Sequence, residues 1–212
     1  MAAALQDAAL GSFPPPNGAV EFVGRPPGLT EAVVAFTAHH IVAADVDPDR
    51  ARKRLAQEDL AAPMRAPFLA WLGEELGAEV GVVDVVLVAP PRSDMKPTLE
   101  LVERKDLVED PRLARSRLYR EELRPFTDVD ERILIVVGRG LAGRWELGLE
   151  VSPEHRGQGI GRQVIAQAPS LVPAGERLFA QVSPGNAASL RAFLAAGYTP
   201  IGGEVLFLKP PA

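Results

Sequence analysis

Apolar and polar positions along this chain change period several times, and each change marks an element. Residues 32–45, AVVAFTAHHIVAAD, are almost continuously apolar and rich in β-branched side chains, which predicts one long or bent strand. Asp47 followed by Pro48 reads as a helix cap with proline at the first helical position, opening a helix through RARKRLAQ. Phe68, Leu72 and Leu76 recur at helical spacing and predict a helix over 67–76. The run VGVVDVVLVAPP at 80–91 predicts a buried strand stopped by two prolines. Beyond it come a strand (TLELVER), a helix (PRLARSRLYREEL) and a strand near RPFTDV. Two more strands, ILIVVGR and RWELGLEV, are joined by a short glycine turn. A helix over 159–168, the strand RLFAQVS, a helix over 186–196 ending at Gly197 and the strand EVLFL close the chain.

The second half therefore reads β-α-β-β-β-α-β-α-β, the pattern of an α/β domain. PRSDMKP at 91–97 is the best boundary candidate. It separates a C-terminal domain at 95–212 from an N-terminal β-α-α-β region at 31–92. Residues 1–30 carry the proline clusters FPPP and RPPG and little periodicity, and are expected to be a poorly ordered or surface-wrapping lead-in.

Two glycine clusters compete for a ligand. GRGLAG at 138–143 fits G-x-G-x-x-G and follows an apolar strand, as a dinucleotide-binding turn would. That turn needs a helix directly after it, whose N-terminus holds the pyrophosphate. Here Trp145, Leu147, Leu149 and Val151 instead alternate with Glu146, Gly148 and Glu150, which is strand period. GRGLAG is most simply a hairpin turn whose glycines supply positive φ, and a nucleotide-binding oxidoreductase is the weaker reading. RGQGIG at 156–161 follows a strand and opens a helix with Ile160, Val164, Ile165 and Ala168 on one face. Closely spaced glycines at a helix start make a main-chain anion cradle, or a glycine-rich turn with no ligand.

Charge and composition narrow the classes. The chain has 23 basic and 28 acidic residues, a net charge of −5, which argues against general nucleic-acid binding. Only Lys53, Lys96, Lys105 and Lys209 are lysine, so arginine is abundant throughout and no single arginine is functional by its presence alone. With no cysteine there is no disulfide, thiolate metal site or cysteine nucleophile, which fits a reducing compartment. MAAALQDAALGSFPPPNG lacks a basic start and carries Asp7, so it is not expected to act as a signal peptide. No apolar run approaches the roughly 20 residues of a membrane span. His155 belongs to a loop, while His39 and His40 are neighbours in a strand and point to opposite faces. Their spacing from Asp45 and Asp47 does not favour a metal site, and none is expected.

LGLEVSPEHRGQGIGRQVI resembles the signature of the GNAT superfamily of acyl-CoA N-acyltransferases. Its pyrophosphate motif, Q/R-x-x-G-x-G/A, is matched by Arg156, Gly159 and Gly161. SPGNAASLRAFLAAGY resembles the second half of the signature, with Asn186 where the family has an asparagine near the cofactor and a closing Gly-aromatic pair at 197–198. The two motifs cover roughly residues 143–200, and strand order extends the likeness to about 98–208.

The resemblance implies a mixed α/β sheet, flanked by helices and splayed open between strands 144–151 and 177–183. The pantetheine of acetyl-CoA would lie in that splay and pair with the backbone from Leu149 to Val151. A main-chain amide there would polarise the thioester carbonyl. The amides of Gly157, Gln158, Gly159, Ile160 and Gly161 would take the pyrophosphate. No metal or covalent intermediate is implied, but the attacking amine must be neutral, and a lysine-type amine has a pKa of about 10.4.

Two positions depart from the family. The tyrosine many members use as general acid is Phe193 here, and the carboxylate some carry in the preceding strand is Gln181. Glu146 and Glu150, on one face of strand 144–151, remain as base candidates, or as the polar face of a half-exposed strand. The reading is a cytoplasmic acetyl-CoA-dependent N-acetyltransferase acting on a small-molecule or peptide amine. It has no nucleic-acid or membrane partner, and a homo-oligomer is left open. The alternative is a catalytically weak or inactive module that binds CoA or a protein partner.

Overall fold

The computed structural model describes residues 1–90, 97–107 and 109–209, so the boundary candidate PRSDMKP lies outside the described residues except for Pro97. In chain order the elements are α1 (Ala2–Ala9), β1 (Val20–Val23), β2 (Glu31–Phe36), β3 (His39–Ala43), α2 (Pro48–Arg52), α3 (Ala66–Leu76) and β4 (Glu79–Val88). Then come β5 (Leu101–Glu103), α4 (Pro111–Ser116), β6 (Glu121–Asp128), β7 (Ile133–Arg139), β8 (Trp145–Val151), α5 (Ile160–Gln167), β9 (Leu178–Val182), α6 (Ala187–Ala195) and β10 (Thr199–Leu208).

The strands form one mixed sheet in the order β1-β3-β2-β10-β4-β9-β8-β7-β6-β5. Neighbours are antiparallel except for β1 with β3 and β8 with β9. β10, from the end of the chain, pairs on one side with β2 and on the other with β4, so the N-terminal strands continue the sheet of the second half. β4 also pairs with β9, opposing Val85 to Val182 and Val88 to Phe179.

Three helices cover one face. Trp145, Leu147, Leu178 and Ala180 pack with Ile160, Val164 and Ile165 of α5 and Phe193 of α6. Farther along, Val33, Val42, Val205 and Phe207 pack with Phe68 and Leu72 of α3. On the other face, Leu5 and Ala8 of α1 cover Val86, Val88, Leu141 and Phe179. Asp47 caps α2 as its position before Pro48 predicts, accepting from the amides of Asp49 at 2.8 Å and Arg50 at 3.0 Å. Asp47→Ala is expected to cost about 1 kcal/mol, the usual price of a lost side-chain cap, measured as a lower urea midpoint.

The structure differs from the sequence reading in several places, and the helix opened by Asp47 ends at Arg52 instead of running through RARKRLAQ. Residues 32–45 form a hairpin of β2 and β3, because the chain reverses at Ala38 in a left-handed conformation (φ 47°) that alanine seldom adopts. The lead-in carries α1 and β1, and its second proline cluster docks on the β7–β8 turn, where Pro27 O accepts from the Ala142 amide at 3.0 Å. The helix expected over 111–123 ends at Ser116, and Glu121 already belongs to β6, paired with Arg139.

Candidate functional site

β8 and β9 run parallel and pair at Trp145 with Leu178, Glu146 with Phe179 and Leu147 with Ala180. Past Leu147 the ladder ends, although β8 continues to Val151 and β9 to Val182. The sheet therefore opens between Gly148–Val151 and Gln181–Val182. β8 stays paired with β7 on its other side along this whole length, so the gap is not a frayed strand.

The RGQGIG segment stands just after this opening strand. Gly157 (φ 76°) and Gly159 (φ 83°) are both left-handed, and a Cβ added at either would meet nothing within 4 Å. Gly159 is the N-cap of α5 and has no side chain to satisfy the helix's first amides. Those amides have no side-chain cap, and the positive end of the helix dipole lies behind them. Gly161 is different: its missing Cβ would lie 3.4 Å from Val151 Cγ2, so it lets α5 seat closely on β8. Ile160 is buried in the core and fixes the helix start. Arg156 is exposed and donates from Nε to Val151 O at 3.0 Å, and Gln158 Nε2 donates to Glu154 O at 2.9 Å. Leu149, Val151, Arg156 and Gly161 are thus brought together at the mouth of the opening. Asn186, beyond the end of β9, caps α6 by accepting from the Ser189 amide at 3.1 Å.

The base candidates on β8 part company. Glu146 is 1% exposed and held by arginines from both sides: Arg144 Nε at 2.9 Å and Arg120 Nε at 2.9 Å. It also accepts from the Leu141 amide at 3.2 Å. Burial raises the pKa of this carboxyl, but Arg144 and Arg120 outweigh that and hold it below its ordinary value. A carboxylate so stabilised is a poor proton acceptor. Its place is structural, in a chain of buried charges that continues from Arg144 to Glu204 at 2.6 Å and from Arg120 to Gln181 Oε1 at 3.0 Å. Glu150 is exposed, at the edge of a shallow cleft with Arg104, Arg112 and Glu131.

Gln181, on β9, lines a second cleft of about 230 Å³ with Asp84, Arg112, Arg115, Tyr119 and Arg120. Arg112 reaches the opening itself, donating from Nη2 to Leu149 O at 3.2 Å. Burial, and then the Glu204 charge across the β4–β10 ladder, push the Asp84 carboxyl up to about 6. Sequence reasoning passed over Asp84, Arg112 and Arg120. Asp84 did leave a signal, as the single charge within the apolar run VGVVDVVLV. The arginines left none, because the chain has so many.

Phe193 is core. It is 4% exposed and stacks edge-on against Tyr198, with ring centroids 4.9 Å apart. Tyr198 directs its hydroxyl to Ile165 O at 3.3 Å. GRGLAG is the β7–β8 turn, with positive φ at Ala142 (56°) and Gly143 (75°). Gly140 is not left-handed; a Cβ there would collide with the Glu146 carboxylate. This cluster does face an anion, but the anion is the protein's own.

An opening between parallel strands, followed directly by a glycine cradle at a helix start, is the arrangement the family resemblance implies. Residues 117–198 match the Acetyltransferase (GNAT) family. This segment is a GNAT acetyltransferase domain. It contains β8, the cradle, β9 and α6. No curated protein matches the chain. Among solved structures, a GNAT-family protein of Novosphingobium aromaticivorans is 18% identical (TM-score 0.43), the match covering 61% of this chain and 64% of that one. A GCN5-related N-acetyltransferase from Kribbella flavida is 16% identical (TM-score 0.43; 69% and 65%). A GNAT-family acetyltransferase from Colwellia psychrerythraea is 14% identical (TM-score 0.39; 68% and 62%). The chain spans less than two thirds of the length of each. Among the described residues no helix is long and apolar enough to cross a membrane.

Proposed function

We propose that the protein is a cytoplasmic N-acetyltransferase that moves an acetyl group from acetyl-CoA to an amine by direct attack. The observation that carries this is the end of the β8–β9 ladder at Leu147 and Ala180, with the open cradle of Gly157 and Gly159 directly after β8. The space a Cβ would fill at either glycine fits a ligand that approaches the main chain closely. The amides of 157–161 would hold the pyrophosphate, and the unpaired edge of β8 at Leu149–Val151 would align the pantetheine. Acetyl-CoA supplies the activated acyl group. The chain's part is to fix that donor with backbone groups and to bring a neutral amine to the opening.

Phe193 supports a second reading, a module that binds CoA without transfer, because the position offers no hydroxyl and is committed to packing. The leaving group is a thiol, with a pKa near 8.5, which departs far more readily than an alcohol; an acid at this position therefore helps without being indispensable. Calorimetric titration with acetyl-CoA, followed by CoA thiol release with an amine panel, separates the two. Saturable binding with amine-dependent thiol release is the expected result. Binding without release from any amine favours the module, and no binding removes both.

A further inference from the structure

The 230 Å³ cleft is built unlike a general amine pocket. Its wall toward α4 presents Arg112, Arg115 and Arg120, and its floor on β4 presents a single carboxylate, Asp84. The Arg120 charge is matched by Glu146. Arg112 and Arg115 have no ion pair among the described residues, although Glu150 and Asp110 lie in the neighbourhood of Arg112. Burial lowers the Arg112 pKa; Glu150 opposes this, and the like charges of Arg120 and Arg115 lower it further, so the guanidinium is short of negative charge.

The cleft also adjoins the opening in the sheet. A Cβ on Gly148, the first β8 residue beyond the pairing with β9, would lie 3.5 Å from Arg120 Nη1 and 3.6 Å from Arg112 Nη2. Two unmatched guanidinium groups and one carboxylate thus face a small space beside the place where the acyl group would sit.

Building on the acetyltransferase reading, we propose that this cleft is the acceptor site, and that the acceptor is a compact amine that carries its own oxyanion. Arg112 and Arg115 bind the oxyanion, a carboxylate or a phosphate, through charge-assisted hydrogen bonds. Asp84 receives the ammonium end and acts as base. A cleft of about 230 Å³ suits a compact acceptor, being smaller than the roughly 300–1,000 Å³ of pockets for drug-sized ligands. A polyamine meets repulsion from the same arginines.

In the reaction Asp84 takes one proton from the acceptor ammonium, and the freed nitrogen pair forms the C–N bond at the thioester carbonyl. The C–S bond breaks with its electron pair on sulfur. The nitrogen loses a second proton as the amide forms, sulfur gains one as the free thiol, and Asp84 returns its own to water. A carboxyl raised to about 6 by burial and Glu204 stands closer to the amine than an ordinary aspartate does.

The test is thiol release at fixed acetyl-CoA with glycine, L-alanine, glycinamide, L-alaninamide, O-phosphoethanolamine, ethanolamine and spermidine. An oxyanion-bearing amine is expected to exceed its neutral counterpart by roughly ten- to hundredfold in kcat/KM, the worth of a charged hydrogen bond. Comparing the amino acids with O-phosphoethanolamine decides between carboxylate and phosphate. Arg112→Gln, and the exposed Arg115→Gln, should each raise the KM of that acceptor about tenfold or more, and in Arg115→Gln acetyl-CoA affinity should stay unchanged. Wild-type kcat should rise with pH through about 6, with Glu204, Arg112, Arg115 and Arg120 the charged groups facing Asp84, and Asp84→Asn should lose that limb. Preference for the amides, ethanolamine or spermidine overturns the proposal, as does an unchanged KM in both arginine variants. If acetyl-CoA fails to bind, the acetyltransferase reading falls, and direct calorimetric titration of glycine and O-phosphoethanolamine still judges the cleft. Binding abolished in Arg115→Gln supports it, and no binding overturns it.

Discussion

Replacing Arg144 with leucine is expected to destabilise the fold by about 3–5 kcal/mol, the penalty typical of removing one partner from a buried ion pair. Arg144 is 2% exposed, and Glu146 and Glu204, the carboxylates it joins, are each 1% exposed. Burial disfavours the Arg144 charge, yet the Glu204 and Glu146 charges overcome this and raise its pKa. Leucine fills much of the volume but leaves Glu204 without its cation and Glu146 with Arg120 alone. Denaturant midpoints at pH 7 give the size of the loss, and their pH dependence gives its cause. The Glu146 pKa is depressed in the fold, so its contribution is present above the ordinary value of 4.5 and is lost as pH falls through the lower folded value. The gap between wild type and Arg144→Leu should therefore narrow as the pH drops below about 4.5. A gap that stays constant as the pH is taken well below 4.5 would mean that lost packing, not lost charge, destabilises the variant. Arg144→Lys should recover only part of the loss, because one ammonium lacks the fork that reaches two carboxylates.

The same cluster marks the limit of what a linear reading resolves. Strand alternation puts Glu146 and Glu150 on one face of β8, and nothing within WELGLEV distinguishes them. What separates them arrives from afar: Arg120 from the α4–β6 connection and Glu204 from β10, 60 residues from its Arg144 partner. Gly140 fits G-x-G-x-x-G for a reason that no nucleotide enters, since it makes room for the Glu146 carboxylate. The strand period after GRGLAG was the usable signal, because it reports the local backbone and owes nothing to distant partners.

Local signals carried the second half for the same reason. The alternation of a strand and the glycines of a helix start each act within a few residues, as at Trp145–Val151 and Gly159. β4 shows the contrary case. Its apolar run predicts a strand, but its place between β9 and β10 is set by pairing partners about a hundred residues away. That placement carries Asp84 to the cleft, so the carboxylate could be seen in the sequence while its surroundings could not. The arginines facing it were hidden differently, by the uniform arginine richness of the chain.

Gly159→Val is expected to lower acetyl-CoA affinity at least a hundredfold, taking it below calorimetric detection, while the protein remains folded. At φ 83° a valine is strained by about 1–3 kcal/mol, yet its Cβ would meet no protein atom within 4 Å. The branched side chain would occupy the space in front of the first amides of α5, where the pyrophosphate is proposed to lie. Strain alone can also weaken binding, so the comparison must hold it fixed. Gly140 cannot serve, because any side chain there meets Glu146. Gly143 can: its φ is 75°, its missing Cβ also faces nothing within 4 Å, and it lies in the β7–β8 turn. Gly143→Val should therefore lose similar stability and retain wild-type acetyl-CoA affinity. Equal loss of affinity in the two variants would show that backbone strain, not blockage of the cradle, is responsible, and the phosphate assignment would fall. A loss confined to Gly159→Val ties the ligand to the main chain at the start of α5, which a side-chain substitution elsewhere on that helix would leave intact.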